Sequence, residues 1–320
     1  MPKPSHLAQL GFGRETIPGT GVPATMWTPW KTLAPKDDLK VIKDEGNRGA
    51  PVDNFGAQPG PRGSGFDWGG DVLADVIGWP LVSLLPDVVV TGAAAPYSTA
   101  FSTLCTGDTQ PPGITGTVYD PLGTWLYPGL QVSELQFKWN ADGFFEYSAK
   151  GIGWGYVTGS IPTTSYGALK PQPNWGIINK IAGSQVFAQE GELTIKRKVE
   201  AIRGANGTQN PYRIWSGDVA VDGKLTLVME DTNQRTAFQN VTPQALDVSF
   251  TQGSGAAQTG LTLHCSQAVY TEGTPTYGKD YIELPVTWEA IANAADVGAS
   301  GGYSPIKATL VNALPSGTYK

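Results

Sequence analysis

Gly298-Ala299-Ser300-Gly301-Gly302 fits the G-x-S-x-G pattern of a serine nucleophile. That elbow needs a strand–turn–helix context and a histidine later in the chain. The only histidines, His6 and His264, both precede Ser300, and a Gly-rich turn follows it, so the match reads as chance. His264 and Cys265 are adjacent, which on a strand sends them to opposite faces. The sequence has no spaced His/Cys cluster for zinc and no EF-hand loop for calcium. Gly11-Phe12-Gly13 is followed by Arg14-Glu15-Thr16, without the third glycine or the lysine of a phosphate-binding loop. The 28 acidic residues could in principle supply a pair of hydrolytic carboxylates, but no spacing singles out a pair. The sequence therefore predicts no enzyme, no metal and no cofactor.

Composition points the same way. Across 320 residues, charged side chains make up 16%, against roughly 25% in ordinary soluble domains. Gly (41) and Pro (25) form about a fifth of the chain, and ten Trp help bring aromatics to 10%. Such a chain is too aromatic and too weakly charged for disorder, and too poor in helix formers for a coiled coil. The net charge of −6 excludes the basic footprint of a protein built to grip phosphates. The densest basic cluster, Lys196-Arg197-Lys198, lies in an alternating run and reads as a solvated edge. Two cysteines make no disulfide framework, and Cys265 falls on an apolar strand face as a buried small hydrophobe. Met1–Leu10 has no signal-peptide core, and the apolar stretch 72–90 is broken by Asp75, Gly78, Pro80, Pro86 and Asp87. A protein made in a cytoplasm, without a membrane span, is expected.

The elements that must position these residues are mostly strands. Residues 1–30 read as an extended arm with aromatic anchors, and 44–70 as a long irregular Gly/Pro-rich loop of the kind a partner orders. Asp71, with Val72, Leu73, Val76 and Ile77 at helical spacing, predicts one helix over about 70–79, ended by Pro80. The clearest segment is 130–154, a hairpin turning at Ala141-Asp142-Gly143 with Gly143 left-handed. One register pairs Trp139 with Phe145, Phe137 with Tyr147 and Leu135 with Ala149 on one face. On the other it pairs Lys138 with Glu146, Gln136 with Ser148 and Glu134 with Lys150. A slip of one residue would bury the charges, so the pattern specifies the register. Alternation continues through 193–201, 246–250, 261–265, 282–288 and 306–311, and Asp222-Gly223 carries the signature of a two-residue hairpin turn. Together these predict a single mainly β domain over 1–320, an antiparallel β-sandwich or barrel-like fold with long loops.

Two blocks carry a resemblance. Leu10-Gly11-Phe12-Gly13-Arg14-Glu15-Thr16-Ile17-Pro18-Gly19-Thr20 is similar to the arm that opens the tail tube (major tail) proteins of long non-contractile-tailed bacteriophages. The hairpin from Gly129-Leu130-Gln131-Val132-Ser133-Glu134-Leu135 through Trp139-Asn140-Ala141-Asp142-Gly143 to Gly151-Ile152-Gly153-Trp154 resembles the same family. The resemblance implies a structural virion protein of the phage tail, assembled in the host bacterial cytoplasm. It implies homohexameric rings whose strands join in one intersubunit barrel, stacked on a tape-measure protein, with tail terminator and tail-tip proteins as further partners. Double-stranded DNA would pass through transiently at ejection, and no membrane is involved. The polar hairpin face (Glu134, Gln136, Lys138, Glu146, Ser148, Lys150) is the candidate lumen lining, although an outer solvated face suits it equally. Phe12, Arg14, Glu15, Trp27 and Trp30 in the arm, and Arg48, Phe55 and Arg62 in the 44–70 segment, are candidate contacts between subunits or rings. The rival reading is a carbohydrate-binding or adhesive β-sandwich displaying exposed Trp, although core Trp fits the apolar faces better.

Overall fold

The computed structural model describes residues 2–106, 110–205, 207–278, 280–315 and 317–319. Its first strands are β1 (Gln9–Arg14), β2 (Met26–Thr28), β3 (Thr32–Asp44), β4 (Gly56–Asp71), β5 (Asp87–Thr91), β6 (Tyr97–Ser102), β7 (Ile114–Asp120), β8 (Gly123–Trp139) and β9 (Glu146–Gly153). Then come β10 (Val157–Thr158), β11 (Ile178–Ile181), β12 (Ser184–Val186), β13 (Ala188–Ile202), β14 (Arg213–Val228), β15 (Gln244–Gln252), β16 (Thr259–Gly273), β17 (Glu283–Ala290) and β18 (Lys307–Asn312). Two short helices, α1 (Gly78–Leu84) and α2 (Asn233–Gln239), interrupt them. The protein is a mainly β, antiparallel, sandwich-like fold, as the alternation predicts.

The strand registers define two layers. One runs β3-β4-β9-β8-β13-β14-β17-β16. The other runs β12-β11-β15-β16-β18-β6-β5, with long β16 serving both. The first half of β8 leaves the large layer to join β2, β1, β7 and β10 in a small sheet. It changes direction at Gly129, whose φ of +64° only glycine adopts freely. Apolar faces meet between the layers: Phe137 stacks on Phe145, which meets Phe250 of β15 edge-on at 5.9 Å. Tyr319 packs between Trp79 of α1 and Phe101 of β6.

The 130–154 hairpin adopts the expected register, from Glu134 opposite Lys150 to Lys138 opposite Glu146, with a bulge between Val132 and Glu134. Gly143 has φ +91°. Beyond that the ladder ends early: Phe145 N–H donates to the Gln172 carbonyl, and Asn174 Nδ2 donates to Asn140 Oδ1 and the Asp142 carbonyl, so a third segment pins the turn.

Several expectations are corrected. The helix lies at 78–84, not 70–79. Gly70 and Asp71 finish β4, and Pro80 sits in the helix's first turn, where its missing N–H costs no intrahelical bond. Only 45–55 of the supposed loop 44–70 lacks strand structure; Asp44 ends β3, and 56–70 belongs to β4, paired with β3 and then with β9. Pro59 and Pro61 are tolerated because they flank the bulge opposite Lys40 on the far part of the hairpin. Asp222-Gly223 is no turn: β14 runs straight through it, between β13 and β17. Lys196-Arg197-Lys198 is not a solvated edge, because Arg197 is buried and donates to the Leu84 and Gly217 carbonyls. Burial lowers its pKa to about 10. Within the extended arm expected over residues 1–30, β1 and β2 are paired strands of the small sheet.

Candidate functional site

The outer face of the first layer gathers the polar hairpin residues and extends them across neighbouring strands. Because side chains alternate, residues opposite one another share a face. One row reads Asp67, Lys150, Glu134, Lys196; a second reads Ser148, Gln136, Thr194, Asp222, Glu289; a third reads Asp71, Glu146, Lys138, Glu192, Lys224. Charge alternates along the first row, while acids stand side by side at Asp222–Glu289 in the second and at Asp71–Glu146 in the third. Lys150 Nζ lies 2.7 Å from Glu134, Lys196 2.7 Å from Asp222, and Lys138 3.6 Å from Glu192. Lys31, reaching in from before β3, lies 2.5 Å from both Asp71 and Glu146. These acceptor partners raise the pKa of Lys31 and of Lys150. Gln136 donates to Glu192 (2.7 Å) and Thr194 (3.4 Å), tying β8 to β13. All six predicted face residues therefore stand together, on a broader surface in which most lysines already hold a carboxylate.

The predicted contact residues divide. Phe12 and Trp27 are buried in the chain's own core, Phe12 with its ring 5.4 Å from Trp68. Glu15 is also interior: Oε2 accepts from Gly19 N–H (2.7 Å), and Oε1 from Thr115 Oγ1 (2.7 Å) and Gly129 N–H (2.6 Å). Burial nevertheless raises its pKa, outweighing those bonds. Arg14 is exposed, and half-buried Trp30 donates Nε1–H to the Ala8 carbonyl. The Arg48 guanidinium lies 5.0 Å over the Phe55 ring and pairs with Asp44, at the tip of the β3–β4 hairpin. Arg62 binds Gln209 and Asn210, while Arg203 donates to the Arg62 carbonyl, so the 203–212 loop braces this hairpin. Among the described residues β3 has a strand partner only in β4, and exposed Leu39, Val41 and Ile42 lie along it.

One cluster escaped sequence reasoning. His264 Nδ1 lies 2.5 Å from Asp247 Oδ1 and Nε2 lies 3.0 Å from Ser266 Oγ, the order of a nucleophilic relay. Ser266, however, gives its hydroxyl to Asp296 Oδ1 (2.6 Å) and its N–H to Asp296 Oδ2 (2.7 Å). A carboxylate thus occupies the place where a developing oxyanion would need donors. The cluster instead clamps β15 and β16 to the segment around Asp296, and the carboxylates raise the His264 pKa. Ser300 of the G-x-S-x-G match donates to Asp87 Oδ2 at 2.7 Å, fastening a loop. Cys265 is fully buried, its thiol pKa pushed up by that burial. Among the described residues, no His/Cys/Asp/Glu group could hold a metal.

A layered antiparallel fold with a broad polar face whose lysines are mostly paired with carboxylates fits a structural protein. The family model for phage tail tube proteins matches residues 5–290. The chain belongs to the phage tail tube protein family. No curated protein sequence matches it. As a tail tube protein it is a structural component of the phage tail and so of the virion, in a family that assembles into a tube. No helix among the described residues of this tail tube protein is long and apolar enough to cross a membrane.

Proposed function

We propose that six copies close into a ring and that rings stack into the tail tube, with the charge-laddered face of the first layer lining the lumen. The carrying observation is that this layer has two open lateral edges on opposite sides. Among the described residues, β3 has no outer strand partner, and β14 before Asp222 pairs with β13 alone. An edge of one copy meeting the other edge of the next is a head-to-tail contact, which closes a ring and removes the exposed edges. The lumen assignment follows from the lysine pairing. Passing DNA would stall on free cations, because each phosphate contact adds counterion-release affinity, whereas lysines already bound to carboxylates offer little grip. In this reading the braced β3–β4 hairpin, with Arg48, Phe55 and Arg62, reaches the adjacent ring, while Arg14 and Trp30 meet a neighbouring subunit. Phe12, Glu15 and Trp27 hold the N-terminal strand in place from inside. The lumen would accommodate a tape-measure protein during assembly in the host cytoplasm and DNA at ejection, with terminator and tail-tip proteins closing the ends. Negative-stain electron microscopy of the purified chain over a concentration series tests it: hollow tubes or stacked rings are expected. Uniform monomers at high concentration, even with tail-tip proteins added, would overturn it.

A further inference from the structure

The chain uses one strand pattern twice. In its first half, β1 pairs with β2 and β7, β8 with β7, β9 and β10, and β4 with β3 and β9. In its second half, β11 pairs with β12 and β15, β16 with β15, β17 and β18, and β14 with β13 and β17. The seven pairings correspond one to one in the same chain order, and α1 and α2 each follow the long hairpin. Among the described residues, only the β5–β6 hairpin has no counterpart.

The irregularities recur as well. The bulge between Leu39 and Val41 matches that between Arg197 and Val199. The bulge between Val132 and Glu134 matches that between Tyr270 and Glu272. The shift at Ile114/Gly116 matches that at Gln244/Leu246. A bulge is a specific insertion into one ladder, so three at matched rungs mark one unit built twice. Side chains at these rungs mostly differ, which keeps the repeat out of sight in the sequence.

In the first layer the units lie side by side in the same order, β3-β4-β9-β8 and then β13-β14-β17-β16. They join where β8 pairs with β13, from Glu134 opposite Lys196 to Trp139 opposite Gly191. Among the described residues, β16 past Ala268 pairs with β17 alone, so the edge that matches the joined edge of β8 is open. Arg197 of β13 is 7% exposed beside the closed seam, whereas its equivalent Leu39, on the open edge of β3, is 51% exposed.

We infer that the repeating piece of the ring is the half-chain unit, and that β3 of one copy joins β16 of the next as β13 joins β8. This rests on the tube reading and keeps its ring and lumen; what changes is the count, because six units come from three chains. The width of the barrel agrees. Strands about 4.8 Å apart and tilted about 40° close at a diameter of roughly 48 Å for three eight-stranded layers and roughly 96 Å for six. The wider barrel would leave a duplex in a channel several times its own width. Matched rungs place Lys36 of one copy opposite Thr274 of the next, as Thr194 stands opposite Gln136. They also place Asp38 opposite Glu272, where the inner seam has Lys196 opposite Glu134. Two acids face each other there, so copies join less readily than the units within one chain.

Cryo-electron microscopy of assembled tubes tests the count: each ring should hold three chains and show six similar lobes. Disulfide trapping tests the seam, with Cys105→Ser removing the exposed native thiol. Lys36→Cys with Thr274→Cys should cross-link neighbouring copies. Lys40→Cys with Thr274→Cys should not, lying roughly 13 Å along the strand and beyond disulfide reach. Asp38→Lys restores the inner seam's charge pair and should lower the concentration needed for rings about threefold. Rings of six chains, or tubes that form without the Lys36–Thr274 cross-link, would overturn the half-chain unit while leaving the tube standing. A chain that forms neither rings nor tubes would instead overturn the tube reading, and the count with it.

Discussion

Gly223 lies mid-strand in β14, opposite Leu193 on one side and Trp288 on the other. A Cβ added there would sit 2.2 Å from the Glu192 carbonyl oxygen and 2.5 and 2.7 Å from two carbons of the Trp288 ring. The first obstacle is backbone held in a ladder, and the second is a fully buried ring. Neither can retreat cheaply, so Gly223→Ala belongs at the upper end of the overpacking range, about 3 kcal/mol. For a chain of this size that lowers the melting temperature by about 4–5 °C. Gly217→Ala is the internal control. Its Cβ meets Lys198 at 3.6 Å, an ordinary contact, so stability should change by no more than about 0.5 kcal/mol.

The competing account, a two-residue turn at Asp222-Gly223, also predicts a cost for alanine, about 1–2 kcal/mol for a left-handed conformation. Coupling separates the two. If the indole is the obstacle, Trp288→Leu relieves part of the penalty, and the double-mutant cycle shows an interaction of about 1 kcal/mol or more. Urea denaturation of the four proteins measures it. Strictly additive effects, or a Gly223→Ala protein that melts with the wild type, would refute the continuous strand packed under Trp288.

Three further outcomes are expected. Glu15→Gln replaces an acceptor of three donors by an amide whose NH2 must face a backbone N–H, so chemical denaturation should show a loss of about 2 kcal/mol; an unchanged midpoint would remove Glu15 from the clamp. His264 has a folded pKa raised above its ordinary 6.5 by its hydrogen bond to Asp247 and by the charges of Asp247 and Asp296, against the opposing effects of burial and, less, of Lys307. Its contribution to stability is therefore complete below pH 6.5 and is lost as pH rises through the raised value; His264→Gln should flatten that part of the stability profile, and an identical slope would exclude the residue. Glu134→Lys with Glu192→Lys strips the partners from Lys150 and Lys138, so assembled tubes should gain DNA affinity with a salt slope steeper by about 2–4; tubes indifferent to DNA at low salt would count against a lumen-facing surface.

What the sequence disclosed follows from where its signals are generated. The 130–154 hairpin was legible because apolar and polar residues alternate without exception through 134–139 and 145–150, and only one register keeps the charges out of the core. The signal is local and two-sided, so it survives without knowledge of neighbours. The same alternation placed the six polar face residues together, yet not the rows they complete, because Lys196, Glu192 and Asp222 arrive from β13 and β14 some 50 to 90 residues later.

The misreadings share a cause: Gly and Pro usually mark turns, but here they also mark close approach. Gly223 is small to admit the Trp288 ring and the Glu192 carbonyl. The glycines and prolines of β4 are carried by an overhanging hairpin that β3 and the Arg203–Asn210 brace support from either side. Pro80 begins α1 instead of ending a helix, since the preceding apolar residues are spent in a buried turn. Glu15 looked like a surface contact because its three donors lie 4, 100 and 114 residues away, and no local pattern announces them. In a chain where nearly half of the strand pairings join strands that are not consecutive, composition sets the class and local alternation sets the registers. A small residue means turn or contact according to what the distant partner brings to it.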